Sequence, residues 1–195
     1  RPDMEQERRL GFLAGAGAAC ERLGSLLSDV SLITRMDYGG DAIAREKVNI
    51  DQIAAAACAD FEIIAAEKGV AIQNGVKGTS PVNGNASLMM SVFHNLIDNA
   101  IRYSGCRHIQ LKTIKLEGGK QLISVSDDGC GVPAVHIPHL FERFYRLEKG
   151  RSRSLGGTGL GLAIVKNAVL WHGGDIHVVI NQSGGLTFNI TLPSE

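Results

Sequence analysis

Residues 156–166 read Gly-Gly-Thr-Gly-Leu-Gly-Leu-Ala-Ile-Val-Lys, and the fold assignment of the whole chain starts from this stretch. Glycine occupies every second position from Gly157 to Gly161, and the apolar run that follows is typical of a helix. A glycine cluster at the start of a helix often brings backbone amides against phosphate. From the spacing alone, a glycine-rich turn that binds no ligand is an equally good interpretation.

Two common phosphate-binding motifs do not fit these glycines. A P-loop ends in Gly-Lys-Ser or Gly-Lys-Thr, but the first lysine after the glycines is Lys166. The dinucleotide-binding fingerprint directly follows a strand and has glycine at its sixth position. Counted from Gly157, that position is Leu162, and residues 151–155 do not have a strand pattern. Phosphate bound here would therefore need a different kind of site.

The composition indicates a globular protein without a strongly charged partner. The 195 residues, 44% of them apolar, suffice for one domain of about 100–150 residues and an appendage. The 20 acidic and 20 basic residues cancel, so we expect no nucleic-acid partner and no binding to an anionic membrane surface. The 4 cysteines are scattered, which indicates reduced cytoplasmic thiols rather than a metal site built from cysteine.

Neither a membrane span nor a signal peptide is predicted. No apolar run approaches the roughly 18 residues that cross a bilayer, and residues 1–9 are too highly charged for a signal peptide. The first residue is not methionine, so we expect a fragment of a longer protein.

Residues 3 to about 37 predict one long helix with an apolar seam. The seam positions are four and three residues apart in alternation, as in a coiled coil, and they are Phe12, Ala16, Ala19, Leu23, Leu26, Val30 and Ile33. A seam of this length needs a partner helix, although a helix lying against its own domain is the alternative. We divide the chain into this helical part, residues 1–40, and a second domain, residues 41–195.

The second domain alternates between strand and helix patterns. Helices are predicted over residues 50–68, 87–103 and 160–172. Strands are predicted over residues 46–49, 108–116, 121–125, 175–180 and 186–192, with weaker signals near 71–72 and 81–82. The order predicts an α+β fold, a two-layer α/β sandwich with helices covering one face of a mixed sheet, preceded by the long helix.

Two further motifs carry chemistry. Asn95 and Asn99 are four residues apart and share a helix face with Arg102, which would suit Mg²⁺ and phosphate. After a strand, Asp127 begins Asp-x-Gly-x-Gly, where a carboxylate could accept from the amine of adenine while glycine admits a planar ring. A solvated polar face and an ordinary Asp-Gly turn are the alternatives.

Together the three motifs, in this order and spacing, resemble the N, G1 and G2 boxes of the GHKL ATPase superfamily, which has the Bergerat fold. Residues 140–146, Leu-Phe-Glu-Arg-Phe-Tyr-Arg, resemble the F box of bacterial sensor histidine kinases. Residues 172–174 and 184–188 are similar to the end of the same catalytic domain, so the resemblance covers about residues 46–195. The leading helix, which ends in Leu-Ile-Thr-Arg-Met-Asp, resembles the second helix of the dimerisation and phosphotransfer hairpin.

The resemblance implies a site for ATP and Mg²⁺. Asn95 and Asn99 would hold the metal, and Arg102 would lie near phosphate. Asp127 would read the adenine amine, and Thr187 would back it through a hydroxyl or a water. The implied nucleotide-binding residues are Asn99, Arg102, Tyr103, Asp127, Gly129, Gly131, Gly157, Thr158, Gly159, Leu160, Gly161, Leu162 and Thr187.

Residues 134–156 would form a lid over the nucleotide, again by resemblance. Its candidates for contact with the γ-phosphate are four arginines, Arg143, Arg146, Arg151 and Arg153. Arg146 follows Phe-Tyr and matches the family best, so Arg146 and Asn95 are the implied catalytic residues.

The resemblance favours a kinase over a hydrolase. Hydrolysing relatives carry a water-activating Glu where this chain has Asn95, and an amide cannot act as a base. None of the 6 histidines lies on the leading helix, so the phosphoacceptor histidine is expected outside this chain. The implied protein is the cytoplasmic portion of a membrane-anchored sensor kinase that dimerises through its hairpin helices and serves a response regulator. The alternative is a non-catalytic module that binds nucleotide or dimerises.

Overall fold

The structure is a computed structural model that describes residues 2–38, 43–147 and 157–193. Its longer helices are α1 (Pro2–Tyr38), α2 (Ile50–Glu67), α3 (Ala86–Asn99) and α4 (Gly161–Trp171). Its strands are β1 (Glu46–Val48), β2 (Ala71–Gly75), β3 (Val82–Gly84), β4 (His108–Leu116), β5 (Lys120–Asp127), β6 (Asp175–Ile180) and β7 (Leu186–Pro193). The predicted helices and strands are confirmed, with bounds that mostly differ by one to three residues.

One five-stranded sheet forms the base of the second domain, in the order β2-β4-β5-β7-β6. β2 runs parallel to β4, and the other neighbours are antiparallel. Ile123 and Val125 of β5 belong to the same buried core as Phe93 and Leu96 of α3, which packs against α2 and α4. β1 and β3 pair separately. The predicted mixed sheet with helices packed on it is confirmed.

α3 carries the first polar motif at the margin of the core. The side chain of Asn85 caps this helix by accepting a hydrogen bond from Leu88 N at 3.1 Å. The buried residues of the helix recur at helical spacing and are Leu88, Met89, Val92, Phe93, Leu96 and Ile97. Asn95 and Asn99 are half-buried beside this apolar face. Directly after Asn99 the backbone changes to a π-helical turn, Ala100–Ser104.

The apolar seam of α1 lies against the second domain near the end of the helix and is exposed farther back. Near its end, Ile33 and Met36 are buried in the core of the second domain. Farther back, Phe12 is 79% exposed and Leu23 is 59% exposed, so the described residues do not cover the earlier part of the seam. The domain boundary expected near residue 40 lies outside the described residues. Within the described ranges, no helix is both long and apolar enough to cross a membrane.

Candidate nucleotide-binding site

Asp127 ends β5 as a nearly buried carboxylate, with 7% of the residue exposed. Its Oδ1 accepts a hydrogen bond from Gly129 N at 2.9 Å. Burial raises the pKa of this carboxyl, while hydrogen bonds from the Gly129 and Leu186 amides and the Ser104 side chain oppose the shift. The hydrogen bond from the Gly129 amide therefore fixes one oxygen of the carboxylate at the end of β5.

The glycines after Asp127 are required by the packing of the protein itself. A Cβ on Gly129 would overlap Ser104 in the π-helical turn. Gly131 has a φ of +60°, and a Cβ there would overlap the carbonyl oxygen of Gly184. Two backbone segments thus approach the Asp-x-Gly-x-Gly turn closely. Glycine is therefore needed there whether or not the ring of a ligand also approaches.

Thr187 does not lie beside the Asp127 carboxylate. It pairs with Ser126 in the β5–β7 ladder, and the hydroxyls of the two residues are hydrogen-bonded. Because successive side chains of a strand point to opposite faces, Thr187 and Asp127 lie on opposite faces of the sheet. The amide of Leu186, rather than Thr187, is among the groups that lower the pKa of this carboxyl. The prediction that Thr187 backs Asp127 directly through its hydroxyl is therefore wrong, and its form through a water stays a prediction.

The three alternating glycines bring the other predicted elements together. A Cβ added at these positions would meet, respectively, the Tyr103 hydroxyl at Gly157, the Phe144 backbone at Gly159 and Asn95 Oδ1 at Gly161. Gly159 also has a φ of +74°, which side chains rarely adopt. The π-helical turn, the lid and α3 therefore all meet the glycine segment, and larger residues would fill the space between them.

The orientation of Asn95 favours binding through its oxygen. Its Nδ2 donates to Ser91 O at 2.8 Å, and its Oδ1 lies against Gly161 at the start of α4. No side chain in the described part of the chain caps the N-terminus of α4, so its first amides are available to an anion. An oxygen donor beside an anion site fits Mg²⁺ bound to phosphate. Asn99, one helical turn farther along, is also half-buried.

Arg102 and Tyr103 lie in the π-helical turn rather than in a regular α-helix. The expected shared face of Asn99 and Arg102 assumed α-helical spacing, and this assumption does not hold after Asn99. Arg102 Nε donates to Asp98 Oδ1 at 2.6 Å, and this bond raises the pKa of the arginine. Tyr103 instead reaches the glycine segment, where its hydroxyl lies against Gly157.

The lid contains an arginine with an unsatisfied donor. Nη2 of Arg146 is buried and has no hydrogen-bond partner among the described residues. Such a donor costs roughly 1–3 kcal/mol when it stays unpaired, so its position fits an anionic ligand such as phosphate. Arg143 Nη2 donates to Asp37 Oδ2 of α1 at 2.5 Å instead. Arg151 and Arg153 lie outside the described residues.

The end of α1 contacts the glycine segment, which the sequence did not predict. Thr158 Oγ1 donates to Asp29 Oδ2 at 3.2 Å and accepts from Leu160 N at 3.2 Å. Leu160 is buried, and Leu162 is half-buried in the first turn of α4. Nothing in the sequence around Asp29 sets it apart from the other polar residues of α1, and only its contact with Thr158 reveals its place beside the glycine segment.

Comparison with known proteins identifies the family of the chain. Residues 84–195 match the family described as histidine kinase-, DNA gyrase B-, and HSP90-like ATPase. The sensor-like histidine kinase SenX3 of Mycobacterium tuberculosis strain H37Rv is 31% identical over 192 residues, which are 98% of this chain and 46% of that protein. The chain thus spans about half the length of this curated relative.

Two solved structures share the fold. Full-length ShkA in complex with AMPPNP has a TM-score of 0.79 at 25% identity, over 97% of this chain and 39% of that one. The mycobacterial sensor histidine kinase MprB has a TM-score of 0.63 at 28% identity, over 77% of this chain and 97% of that one. The resemblance that the sequence boxes indicated is confirmed. The chain therefore belongs to the histidine kinase-, DNA gyrase B-, and HSP90-like ATPase family, and it is an ATP-binding catalytic domain of the sensor histidine kinase type.

Proposed function

We propose that this chain transfers the γ-phosphate of ATP to a histidine on a hairpin helix outside the chain, for relay to a response regulator. The observation that carries the proposal is the buried Nη2 of Arg146 in the lid, which has no partner among the described residues and which a phosphate would satisfy. The acceptor histidine is expected on the first helix of the hairpin of which α1 is the second helix.

The adenine end of the site is proposed to be Asp127. Its carboxylate is nearly buried, so a hydrogen bond from an exocyclic amine would be well shielded from water. The amide of Gly129 holds one oxygen of the carboxylate before the ligand arrives. Because the carboxylate is already held in place, less side-chain freedom is lost when the nucleotide binds, and the site favours adenine over other bases.

The phosphate end is proposed to lie at the N-terminus of α4. The uncapped amides there and the glycines at 157, 159 and 161 would accommodate the triphosphate. Asn95 and Asn99 would hold Mg²⁺ through their amide oxygens. When bound, Mg²⁺ neutralises part of the negative charge on the phosphate oxygens. Arg146 would stabilise the charge that is redistributed on the γ-phosphate during transfer.

The site is suited to transfer rather than to hydrolysis. Asn95 stands where hydrolysing relatives carry the glutamate that activates water, and an amide cannot remove a proton from water. The preceding residue, His94, is directed towards α2 instead, where its Nε2 is hydrogen-bonded to Asp60 Oδ2 at 2.9 Å. A bound ATP would thus keep its γ-phosphate until a histidine acceptor arrives.

The exposed seam of α1 is the proposed contact with the missing hairpin helix and with a second copy of the chain. The exposed large apolar side chains along this part of α1 are Leu10, Phe12, Leu13, Leu23, Leu27 and Val30, of which Phe12, Leu23 and Val30 are seam positions. A four-helix bundle would remove this apolar surface from water. We further propose that the chain is the cytoplasmic portion of a membrane-anchored sensor kinase.

The test is to mix the chain with the histidine-bearing hairpin of its full-length protein and to follow labelled phosphate from ATP. Acid-labile label on the hairpin supports the proposal, and replacing the acceptor histidine with glutamine should abolish it. Tight ATP binding without any transfer would favour the alternative, a non-catalytic module that binds nucleotide. No feature of the described site favours that alternative.

A further inference from the structure

The turn between β6 and β7 is joined to the end of β5 largely by one side chain. Asn181 Nδ2 lies 2.8 Å from Asp127 O, 3.3 Å from Leu186 O and 3.4 Å from Thr187 Oγ1. An amide nitrogen has two hydrogens to donate, so the short bond to Asp127 and one longer bond can satisfy it. Asn181 therefore connects the residue that ends β5 with the first residues of β7.

Close backbone packing surrounds this connection. A Cβ on Gly185 would overlap the carbonyl oxygen of Asp127, and a Cβ on Gly131 would overlap the carbonyl oxygen of Gly184. A Cβ on Gly185 would also come to 2.8 Å from Asp127 Oδ1, so the turn lies directly against the carboxylate. The next amide along, that of Leu186, lowers the pKa of this carboxyl. The direction of the carboxylate therefore depends on where the β6–β7 turn holds Gly185 and Leu186.

We propose that Asn181 is a positioning residue for base recognition, because its amide holds the β6–β7 turn against β5 and so keeps the Asp127 carboxylate aimed at the adenine amine. This inference rests on the proposed adenine-binding role of Asp127. Without the Asn181 amide, the Leu186 amide would separate from the carboxylate, which could then adopt another rotamer. Asn181 itself need not contact the nucleotide.

A purely local role of Asn181 in shaping the turn makes a different prediction. Its Oδ1 accepts from Ser183 N at 3.1 Å and from Ser183 Oγ at 2.7 Å, as asparagine and aspartate both do in turns. Asn181→Asp keeps this acceptor but loses the donor, and it sets an oxygen against the carbonyls of Asp127 and Leu186. The substitution therefore separates the positioning role from the turn-shaping role.

The experiment compares binding of ADP and IDP by calorimetry. The hypoxanthine base of IDP has a carbonyl where adenine has its amine, so it cannot donate to Asp127. We expect Asn181→Asp and Asn181→Ala to weaken ADP binding about fivefold or more, the effect of one lost hydrogen bond, and IDP binding less than about twofold. Gln182→Ala, an exposed neighbour in the same turn, and Ser183→Ala should leave both affinities unchanged.

A double-mutant cycle tests whether Asn181 acts through Asp127. In an Asp127→Asn background, Asn181→Ala should weaken ADP binding no further, because the carboxylate that it positions is gone. Additive losses, or equal losses for ADP and IDP, would overturn the inference even if the variants melt at a lower temperature. If Asp127→Asn lowers the preference for ADP and the Asn181 variants do not, only this inference fails. If Asp127→Asn leaves that preference unchanged, the adenine-binding role fails and the inference with it.

Discussion

Arg143 Nη2 donates a hydrogen bond to Asp37 Oδ2 at 2.5 Å, which joins the lid to the last turn of α1. The other oxygen of Asp37 accepts from Asn167 Nδ2 of α4 at 3.3 Å. Three residues beyond Arg143, Arg146 has a buried Nη2 that meets no acceptor in the described part of the chain. Arg143 thus contacts α1, whereas the Nη2 donor of Arg146 has no acceptor among the described residues.

Arg146→Ala should slow phosphotransfer to an added histidine-bearing hairpin by about tenfold or more. A loss of roughly 1.4 kcal/mol in the transition state gives this factor, because the γ-phosphate charge is redistributed during transfer. ADP binding should change little, since ADP has no γ-phosphate. Single-turnover kinetics with labelled ATP, together with calorimetry for ADP, measure the two effects.

Arg143→Ala is the matched control from the same lid. Its pair with Asp37 is partly exposed, and such pairs contribute about 0–1 kcal/mol, so transfer should stay within about threefold of the unmodified chain. If Arg146→Ala weakens ADP binding as strongly as it slows transfer, Arg146 acts in the ground state or in folding. A larger effect at Arg143 would assign the γ-phosphate contact to that residue.

Asn95→Ala and Asn99→Ala should weaken binding of Mg²⁺–ATP by roughly tenfold, the loss that a missing ligand of the metal shell would cause, while metal-free ADP binds almost as before. Calorimetry with and without Mg²⁺ measures the difference. Asn189→Ala on β7, also half-buried but outside the site, is the control. Equal losses with and without metal would show that the two amides are structural.

Leu23→Asp should abolish self-association of the chain. Leu23 is 59% exposed on the α1 seam, and a charge there cannot be buried in a helical bundle. Leu170→Asp on α4 changes a residue that is 49% exposed but outside the seam, so it should leave association intact. Sedimentation velocity measures the oligomeric state. A strictly monomeric unmodified chain with an ordered α1 would contradict the seam prediction.

His172 should make the stability of the chain depend on pH. Its Nδ1 donates to Ala168 O at 2.7 Å, and its Nε2 accepts from Asn85 N at 3.0 Å, so the ring is neutral when folded. Burial, with a smaller effect of the Arg45 charge, lowers its pKa below the usual 6.5. Below about pH 6.5 the unfolded chain therefore binds a proton that the folded chain does not.

This histidine contributes its full stability above about pH 7 and loses it as the pH falls below 6.5. The free energy of unfolding should fall by up to about 1.4 kcal/mol per pH unit there, relative to His172→Gln. Urea denaturation at pH 7.5, 6.5 and 5.5 measures both proteins, and other titrating groups cancel in the difference. If the free energy of unfolding depends on pH equally in the two proteins, protonation of His172 does not destabilise the folded chain.

Most secondary structure could be predicted from the sequence because its signals are local. The seam spacing of α1 and the alternation in β4 each repeat within one element, so neighbouring residues suffice to reveal them. Asn95, Asp127 and the alternating glycines were identifiable for a similar reason, since each forms a short motif. Their grouping into one site followed from the family resemblance and not from any single motif.

Two predictions about the site were wrong because each applied a local spacing rule beyond the element in which that rule holds. Arg102 was expected on the face of Asn99, but the π-helical turn that begins at Ala100 changes the spacing. Thr187 was expected beside Asp127, but the β5–β7 register pairs it with Ser126 on the other face of the sheet. A shift of one residue in register reverses every side chain, and nothing in a strand pattern alone specifies that register.

The sequence by itself determined the class of the protein: a mixed α/β domain with a carboxylate proposed to read adenine, two amides proposed to hold Mg²⁺ and a glycine segment before a helix. Tertiary structure alone decided which distant residues support that site. Asn181 meets Asp127 across 54 positions of sequence, and Arg143 meets Asp37 across 106. Such pairs depend on how whole elements pack, and packing is a property of the complete core, whereas propensities and spacing act within a few residues.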